Sequence, residues 1–311
     1  MNLLAIDFGG TRTRAAWCQA EPGGEPVLIH RDEMPTHAHE SSQVVIDRLI
    51  ALAQGVIPPG ARPDAVGISA PGPHDAKTGR IYHSYALPGW HDIPLGGILH
   101  RAFGAPVYME NDGNLGAVAE YTGGAGRGCT PMLYLTISTG IGGGLMIDGR
   151  LYTGWSGLAI EPGHMVVTAP EGDPVRLEAI ASGTGIAART RRLLATTDQP
   201  SALRHMPHID SAAVGQAALG GDMLALSVIH TAAHALSVGM VTLVHLFSPQ
   251  AIVIGGSVTR LGNLLFDPVR EFIDDHALDA RFIPPDLIRL AQYGDDVCLI
   301  GAAMWAARGG M

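Results

Sequence analysis

Apolar positions fall into short continuous runs separated by turns rich in glycine and proline. That pattern predicts buried strands joined by tight connections, with helices between them. Residues 3–8 read as a buried strand closed by Gly9-Gly10, residues 13–17 as its hairpin partner, and residues 27–34 as a third strand. Ser41 or Ser42 can cap a helix running to about Gln54. Residues 65–70 form a short apolar strand closed by Pro71-Gly72-Pro73, and residues 107–110 a further strand ending in Asn111-Asp112-Gly113. The layout then begins again. Residues 132–138 make an apolar strand with a glycine turn at 140–144, residues 145–147 its hairpin partner, and residues 165–168 a third strand. Helices are expected near 176–195, 211–219, 222–247 and 257–276, and a late buried strand at 251–254. One layout used twice predicts an α/β protein in two lobes.

Composition narrows the function. The 311 residues suffice for about two domains. The chain is 47% apolar, 16% charged and carries a net charge of −9. That charge disfavours a nucleic-acid partner, but backbone amides and magnesium can still hold nucleotide phosphates. Cys18, Cys129 and Cys298 are scattered, without disulfide or zinc spacing. The N-terminus lacks the basic and long apolar regions of a signal peptide, so a cytoplasmic location is expected. The apolar stretch 223–247 is long enough to raise a membrane question. It contains His230, His234 and His245 and is followed at once by a strand, so it reads as a buried core helix and no membrane partner is expected.

Four segments carry candidate chemistry. In Asp7-Phe8-Gly9-Gly10-Thr11-Arg12-Thr13-Arg14 a carboxylate closes a strand, and Gly9 and Gly10 let backbone N–H groups approach a phosphate while Thr11 adds a hydroxyl. Asp7 can reach a magnesium ion through water. An ordinary hairpin turn would use the same residues. Ser138-Thr139-Gly140-Ile141-Gly142-Gly143-Gly144 repeats the logic, and two such turns suggest a clamped phosphate chain. In Glu110-Asn111-Asp112-Gly113-Asn114, Asp112 can accept a hydroxyl proton and Asn111 can bind the same substrate; the alternative is a turn with Asp112 as helix N-cap. Glu161 and His164, with Glu178 downstream, suit recognition of a polyol. Gly183-Thr184-Gly185 fits a dinucleotide fingerprint but follows a helix-like run, so that reading is rejected.

In this order the segments resemble the ROK family (repressor, open reading frame, kinase) of bacterial sugar kinases, from residue 3 to about 307. The resemblance implies the two-lobed hexokinase/actin-like ATPase fold with a ligand cleft between the lobes. The division would be 1–112 as the small lobe, with a C-terminal helix at about 297–311 packing back on it, and 113–296 as the large lobe. It implies ATP and Mg2+ as cofactors and glucose or a related hexose as substrate. Asp112 would be the base. Asp7, Gly9, Gly10, Thr11, Thr139, Gly140 and Gly142 would hold phosphates, and Gly255 and Gly256 would lie on the adenosine side. Asn111, Asp112, Glu161, His164 and Glu178 would hold the sugar, and the protein would be a homo-oligomer, a dimer or tetramer. A non-catalytic sugar sensor of the same fold is the alternative.

Three positions depart from the family pattern. Ala86 stands where an asparagine usually precedes Leu87-Pro88-Gly89-Trp90. Ala159-Ile160-Glu161 replaces Ala-Gly-Glu. No cysteine lies between His164 and Glu178, so no structural zinc is expected.

Overall fold

The computed structural model describes residues 1–21, 24–84 and 86–311. The first half comprises β1 (Asn2–Phe8), β2 (Arg12–Gln19), β3 (Val27–Pro35), α1 (Ser42–Gly55), β4 (Ala65–Ser69), β5 (His74–Asp75), β6 (Arg80–His83), β7 (His91–Ile93), α2 (Leu95–Phe103), β8 (Val107–Glu110) and α3 (Asp112–Thr122). The second half comprises β9 (Met132–Ile137), β10 (Ile141–Ile147), β11 (Arg150–Leu151), β12 (Val166–Thr168), β13 (Pro174–Arg176), α4 (Glu178–Ala181), α5 (Gly183–Thr196), α6 (Ser211–Leu219), α7 (Met223–Phe247), β14 (Ala251–Gly255), α8 (Asn263–His276), β15 (Ile288–Leu290) and α9 (Val297–Ala307).

Two five-stranded sheets share one topology. The first runs β3-β2-β1-β4-β8 and the second β11-β10-β9-β14-β15. In the first, β1 pairs antiparallel with β2 and parallel with β4. In the second, β9 pairs parallel with β14, and β14 parallel with β15. Leu3, Leu4, Ala5 and Ile6 are all fully buried, the continuous apolar run of a central strand covered on both faces. Leu4, Ile6, Phe8, Val66 and Ile68 share a core with Val45, Ile46 and Leu49 of α1. Gly67, between Val66 and Ile68, lies directly beneath Ala302 of α9. Strand alternation thus places α1 and α9 on opposite faces.

The chain divides into two compact units: residues 1–128, 144–159 and 292–311, and residues 129–143 with 160–291. α3 packs on α9, so the first unit reaches beyond residue 112, and α9 packs on β1 and β4 of that unit.

Several expectations shift in detail. The third strand of the second sheet is β11; residues 166–168 instead pair with β13 in a separate hairpin. The helix expected over 176–195 is two helices, because Ser182 ends α4 and its side chain caps α5 by accepting from the Gly185 amide at 3.1 Å. Ser41 occupies the N-cap of α1 but makes no side-chain cap bond. The strands β5, β6 and β7, which form a small sheet of their own, went unforeseen. α7 is long and apolar enough to cross a membrane, yet 61% of its most apolar window is buried, against α4, α5, α6, α8 and β12.

Candidate functional site

In the first unit the antiparallel register sets Asp7 opposite Arg14. Arg14 Nε and Nη2 both donate to Asp7 Oδ2, at 2.9 and 2.5 Å, and Nη1 donates to the Asp295 carbonyl. Burial opposes the charge on Arg14, but the Asp7 charge and hydrogen bonds outweigh it and hold the guanidinium protonated. Gly9, Gly10 and Thr11 form the turn that follows Asp7. A Cβ on Gly10 would stand 2.6 Å from the Ala86 carbonyl oxygen, so the segment leading to Trp90 packs directly on this turn. The Trp90 ring lies 5.2 Å from that of Phe8.

β8 delivers the second carboxylate. Asn111, not Asp112, is the N-cap of α3: its Oδ1 accepts from the Asn114 amide at 2.6 Å. Asp112 is therefore the first helical residue, exposed, with Oδ1 accepting from the Gly113 amide at 2.8 Å. Although the residue as a whole is exposed, crowding by protein weakens the carboxylate's solvation and pushes its pKa above the usual range. The Gly113 amide opposes that rise and the nearby Asp7 charge adds to it. Glu110 is buried beneath, and its Oε1 accepts from the Asn111 amide at 2.9 Å and from Asn114 Nδ2 at 3.0 Å. These bonds fix the strand end that carries Asn111 and Asp112. Cys298 lies against the same carboxylates; burial and the charges of Asp7 and Asp112 hold its thiol protonated well above its normal range.

The second unit gathers the other expected residues. Thr139 and Gly140 form the turn between β9 and β10, and Gly142 lies within β10. The Ser138 amide donates to the Gly140 carbonyl at 2.9 Å, and the Gly183 amide to the Ser138 carbonyl at 2.7 Å, tying the turn to the start of α5. Gly255 ends β14. Gly256 has φ +93°, and a Cβ there would lie 2.3 Å from the Ile137 carbonyl oxygen, so only glycine fits. Thr139 and Ser257 line one cavity of about 620 Å3 in this unit.

Glu161 leads into a single 3-10 turn, Pro162–His164, its carbonyl accepting from the His164 amide at 3.0 Å. His164 Nδ1 stands 3.5 Å from Glu178 Oε1, at the start of α4. A Cβ on Gly140 would be 3.1 Å from Glu178 Oε2, so the second glycine turn abuts this acid. The segment between His164 and Glu178 is the β12–β13 hairpin. Its Glu171 accepts from Arg189 at 3.1 Å and Arg192 at 2.5 Å of α5.

Sequence reasoning missed several residues. Gly183, Thr184, Arg191, Asp210 and Arg260 line the same cavity as Thr139. The available signal was Ser182-Gly183-Thr184, a hydroxyl and small residues opening a helix, an arrangement suited to anions. As expected, Gly183-Thr184-Gly185 follows helix α4 rather than a strand. Arg14 was legible only as part of the first glycine motif, without its partner.

Twin sheets of this topology, each with a glycine turn after its first strand, define the two-lobed ATPase fold of hexokinases and actin. A structure described as a ROK family glucokinase from Streptomyces griseus in complex with glucose and AMPPNP superposes with TM-score 0.82 at 28% identity, covering 99% of this chain and 100% of that one. The sequence matches the ROK family over residues 3–308, and the chain belongs to that family. It is 32% identical to a glucokinase of Halalkalibacterium halodurans, over 96% of this chain and 92% of the relative. It is 31% identical to a glucokinase of Thermotoga maritima, over 97% and 96%.

Proposed function

We propose that this sugar kinase transfers the γ-phosphoryl group of ATP to a hexose hydroxyl, the 6-hydroxyl of glucose being the first candidate, with Asp112 as general base. The observation that carries the reading is the state of Asp112. Asn111 already caps α3, so the Asp112 carboxylate is spared that task, and its surroundings raise its proton affinity. The carboxylate takes the hydroxyl proton, the freed oxygen attacks the γ-phosphorus, the bond to the β–γ bridging oxygen breaks, and ADP leaves. Thr11, Gly10, Thr139 and Gly140 hold phosphates, with Gly256 shaping the adenosine side. Asn111, Glu161, His164 and Glu178 hold the sugar. The relatives named glucokinase support the substrate class.

Magnesium fits in a limited way. Among the described residues no group of three or more His, Cys, Asp or Glu side chains could hold a metal ion. Asp7 is thus the one carboxylate proposed for it; Arg14 engages its Oδ2, and Oδ1 would reach the ion through water. Such an ion would take its remaining ligands from phosphates and water and would screen phosphate charge. A cytoplasmic location and a dimer or tetramer are further parts of the proposal.

ADP release measured over a panel of hexoses and N-acetylhexosamines tests the reading. Release with at least one sugar, lost in Asp112→Asn, is expected. Sugar binding by calorimetry with no ADP release for any sugar would mark a sensor instead.

A further inference from the structure

We propose that the exposed face of α7 is the surface through which two copies of this chain associate, helix against helix and antiparallel across a two-fold axis. The inference rests on the self-association included in the function proposed above and supplies its surface.

The face is long and carries no charge. α7 has 25 residues, about 37 Å at ~1.5 Å per residue, and none is Asp, Glu, Lys or Arg. Met223, Ser227, His230, His234, Val238 and Thr242 are exposed and recur every three or four residues, so they form one stripe. The exposed positions of neighbouring α8 include Asp267, Arg270, Glu271, Asp274 and Asp275, the ordinary surface of a helix that faces water. The stripe on α7 instead leaves Met223 66%, Val238 36% and Leu246 68% exposed among hydroxyls and imidazoles. Two copies of a chain of net charge −9 repel each other, and contact is least opposed where charge is absent.

The order of residues along the stripe fits a second copy. At a two-fold contact a surface meets itself, so like charges would collide, whereas uncharged groups can pair. An axis passing between residues 234 and 235 sets Met223 opposite Leu246, Ser227 opposite Thr242 and Thr231 opposite Val238. Apolar ends then meet apolar ends, and the small residues nearer the axis let the two helices approach closely. The hydroxyls of Ser227, Thr231 and Thr242 donate to carbonyls of their own helix, which leaves their oxygens as acceptors for imidazole N–H groups of the facing copy. Two of those imidazoles are already held in place. The His234 ring stands edge-on to Phe272 at 5.4 Å. The His245 ring lies 5.3 Å from Phe282, and its Nε2 accepts from the Leu278 amide at 3.0 Å. Side chains fixed beforehand lose less freedom on association.

The strip covers about 400 Å2, roughly half of what a stable dimer buries per partner. Leu278, beside His245 and 81% exposed, extends it at one end. A bilayer surface is the poorer occupant. A helix lying in that interface combines bulky apolar residues with a Lys- and Arg-rich face, and α7 has no Lys or Arg while Ser, Thr and His interrupt its exposed apolar positions.

Sedimentation equilibrium of the full chain reads the mass of the assembly. Wild type is compared with Ser227→Glu, Thr242→Lys, His234→Glu and the double variant Ser227→Glu/Thr242→Lys. All three positions are exposed, and an unchanged far-UV spectrum confirms folding. Each single variant should weaken the association step about tenfold or more, His234→Glu the most, because it sets like charges beside the axis. The double variant places opposite charges across the interface twice and should return to within about threefold of wild type. Unaltered association in the single variants, or a double variant no better than the singles, would overturn the proposal. A monomeric wild type would overturn it together with the self-association, while ADP release tests the kinase reading separately. Cosedimentation of the monomer with vesicles of anionic phospholipid, lost in Val238→Glu, would assign the face to a membrane instead.

Discussion

The turn after β1 and the turn after β9 are built on the same topology and differ in charge. Each follows the first strand of a sheet whose remaining strands are ordered alike. In the first, Asp7 and Arg14 face each other across the hairpin, and Asp112 lies close enough to feel the Asp7 charge. The second offers Ser138, Thr139 and glycines, with Glu178 contributed from a helix beside it. A backbone cradle for anions can be repeated at little cost, since it needs only small residues and a tight turn. Two neighbouring carboxylates are harder to keep, because like charges in a crowded site disfavour ionisation. Buried Arg14 is the compensation, and it occurs in one copy only. Under the proposed function, the difference would separate a half equipped for proton transfer from a half equipped for holding.

The largest expected effect removes that difference. Asp112→Asn should lower kcat by about 10²-fold or more while leaving sugar affinity within about threefold. The sign of its stability effect follows from the raised pKa. The folded state binds the Asp112 proton more tightly than the unfolded chain, so stability falls as pH rises from the ordinary aspartate pKa toward the raised one. At neutral pH the charge is therefore a liability, and the variant should melt no lower than wild type. In wild type, kcat/KM should fall as pH drops through the raised value, and no such limb should remain in the residual activity of the variant. A variant within threefold of wild-type kcat would remove Asp112 from the mechanism.

Arg14→Ala probes the compensation itself. The side chains of Arg14 and Asp7 are only 10% and 13% exposed, so deletion strands a carboxylate beside Asp112. A loss of about 3 kcal/mol is expected by denaturant titration. It should shrink markedly in Asp7→Asn/Arg14→Ala, since the double variant carries no stranded charge. Additive losses in that cycle would show that Arg14 acts by packing alone.

How much of this was legible follows from period and punctuation. The β1–β2 hairpin and the β9–β14 core were readable because continuous apolar runs with glycine boundaries have few alternative structures. β11 and the β12–β13 hairpin were confused because strands of two or three residues carry no period, and pairing decides between them. Asn111 and Asp112 were both visible as polar residues at a strand end, but which one caps the helix depends on one backbone dihedral pair at Asn111. His74, beside Pro71-Gly72-Pro73, carried no sequence signal; its burial against Glu110 comes from β5, a strand too short to see.

A smaller effect is expected in the second unit. Gly256→Ala forces a Cβ toward the Ile137 carbonyl at φ +93°, a conformation that disfavours any side chain. A stability loss of about 2 kcal/mol is expected, together with a higher KM for ATP and a kcat near wild type. The reverse split, kcat lost at unchanged KM, would assign this loop to chemistry rather than holding.

The smallest effect concerns Ile160, where the family pattern expects glycine. The backbone there keeps a glycine-like conformation, φ +65°, although the residue is β-branched. In that region a side chain costs roughly 1–2 kcal/mol relative to the right-handed conformation, and glycine costs nothing comparable. Replacing Ile160 outright would mix relief of this strain with loss of a half-buried side chain. Comparing Ile160→Gly with Ile160→Ala cancels the second effect, because both remove the side chain beyond Cβ. At an ordinary position glycine is the less stable of the two by about 0.5–1 kcal/mol. At Ile160 the order should reverse, with the glycine variant more stable than the alanine variant by about 1 kcal/mol. That difference corresponds to roughly 2–4 °C in melting temperature for a chain region of this size. Ile160 lies next to Glu161, so strain released there also frees the segment leading to His164, and the glycine variant should bind sugar no worse than wild type. If alanine proves the more stable replacement, the backbone at 160 is not held in the left-handed region, and the strain assigned to it does not exist.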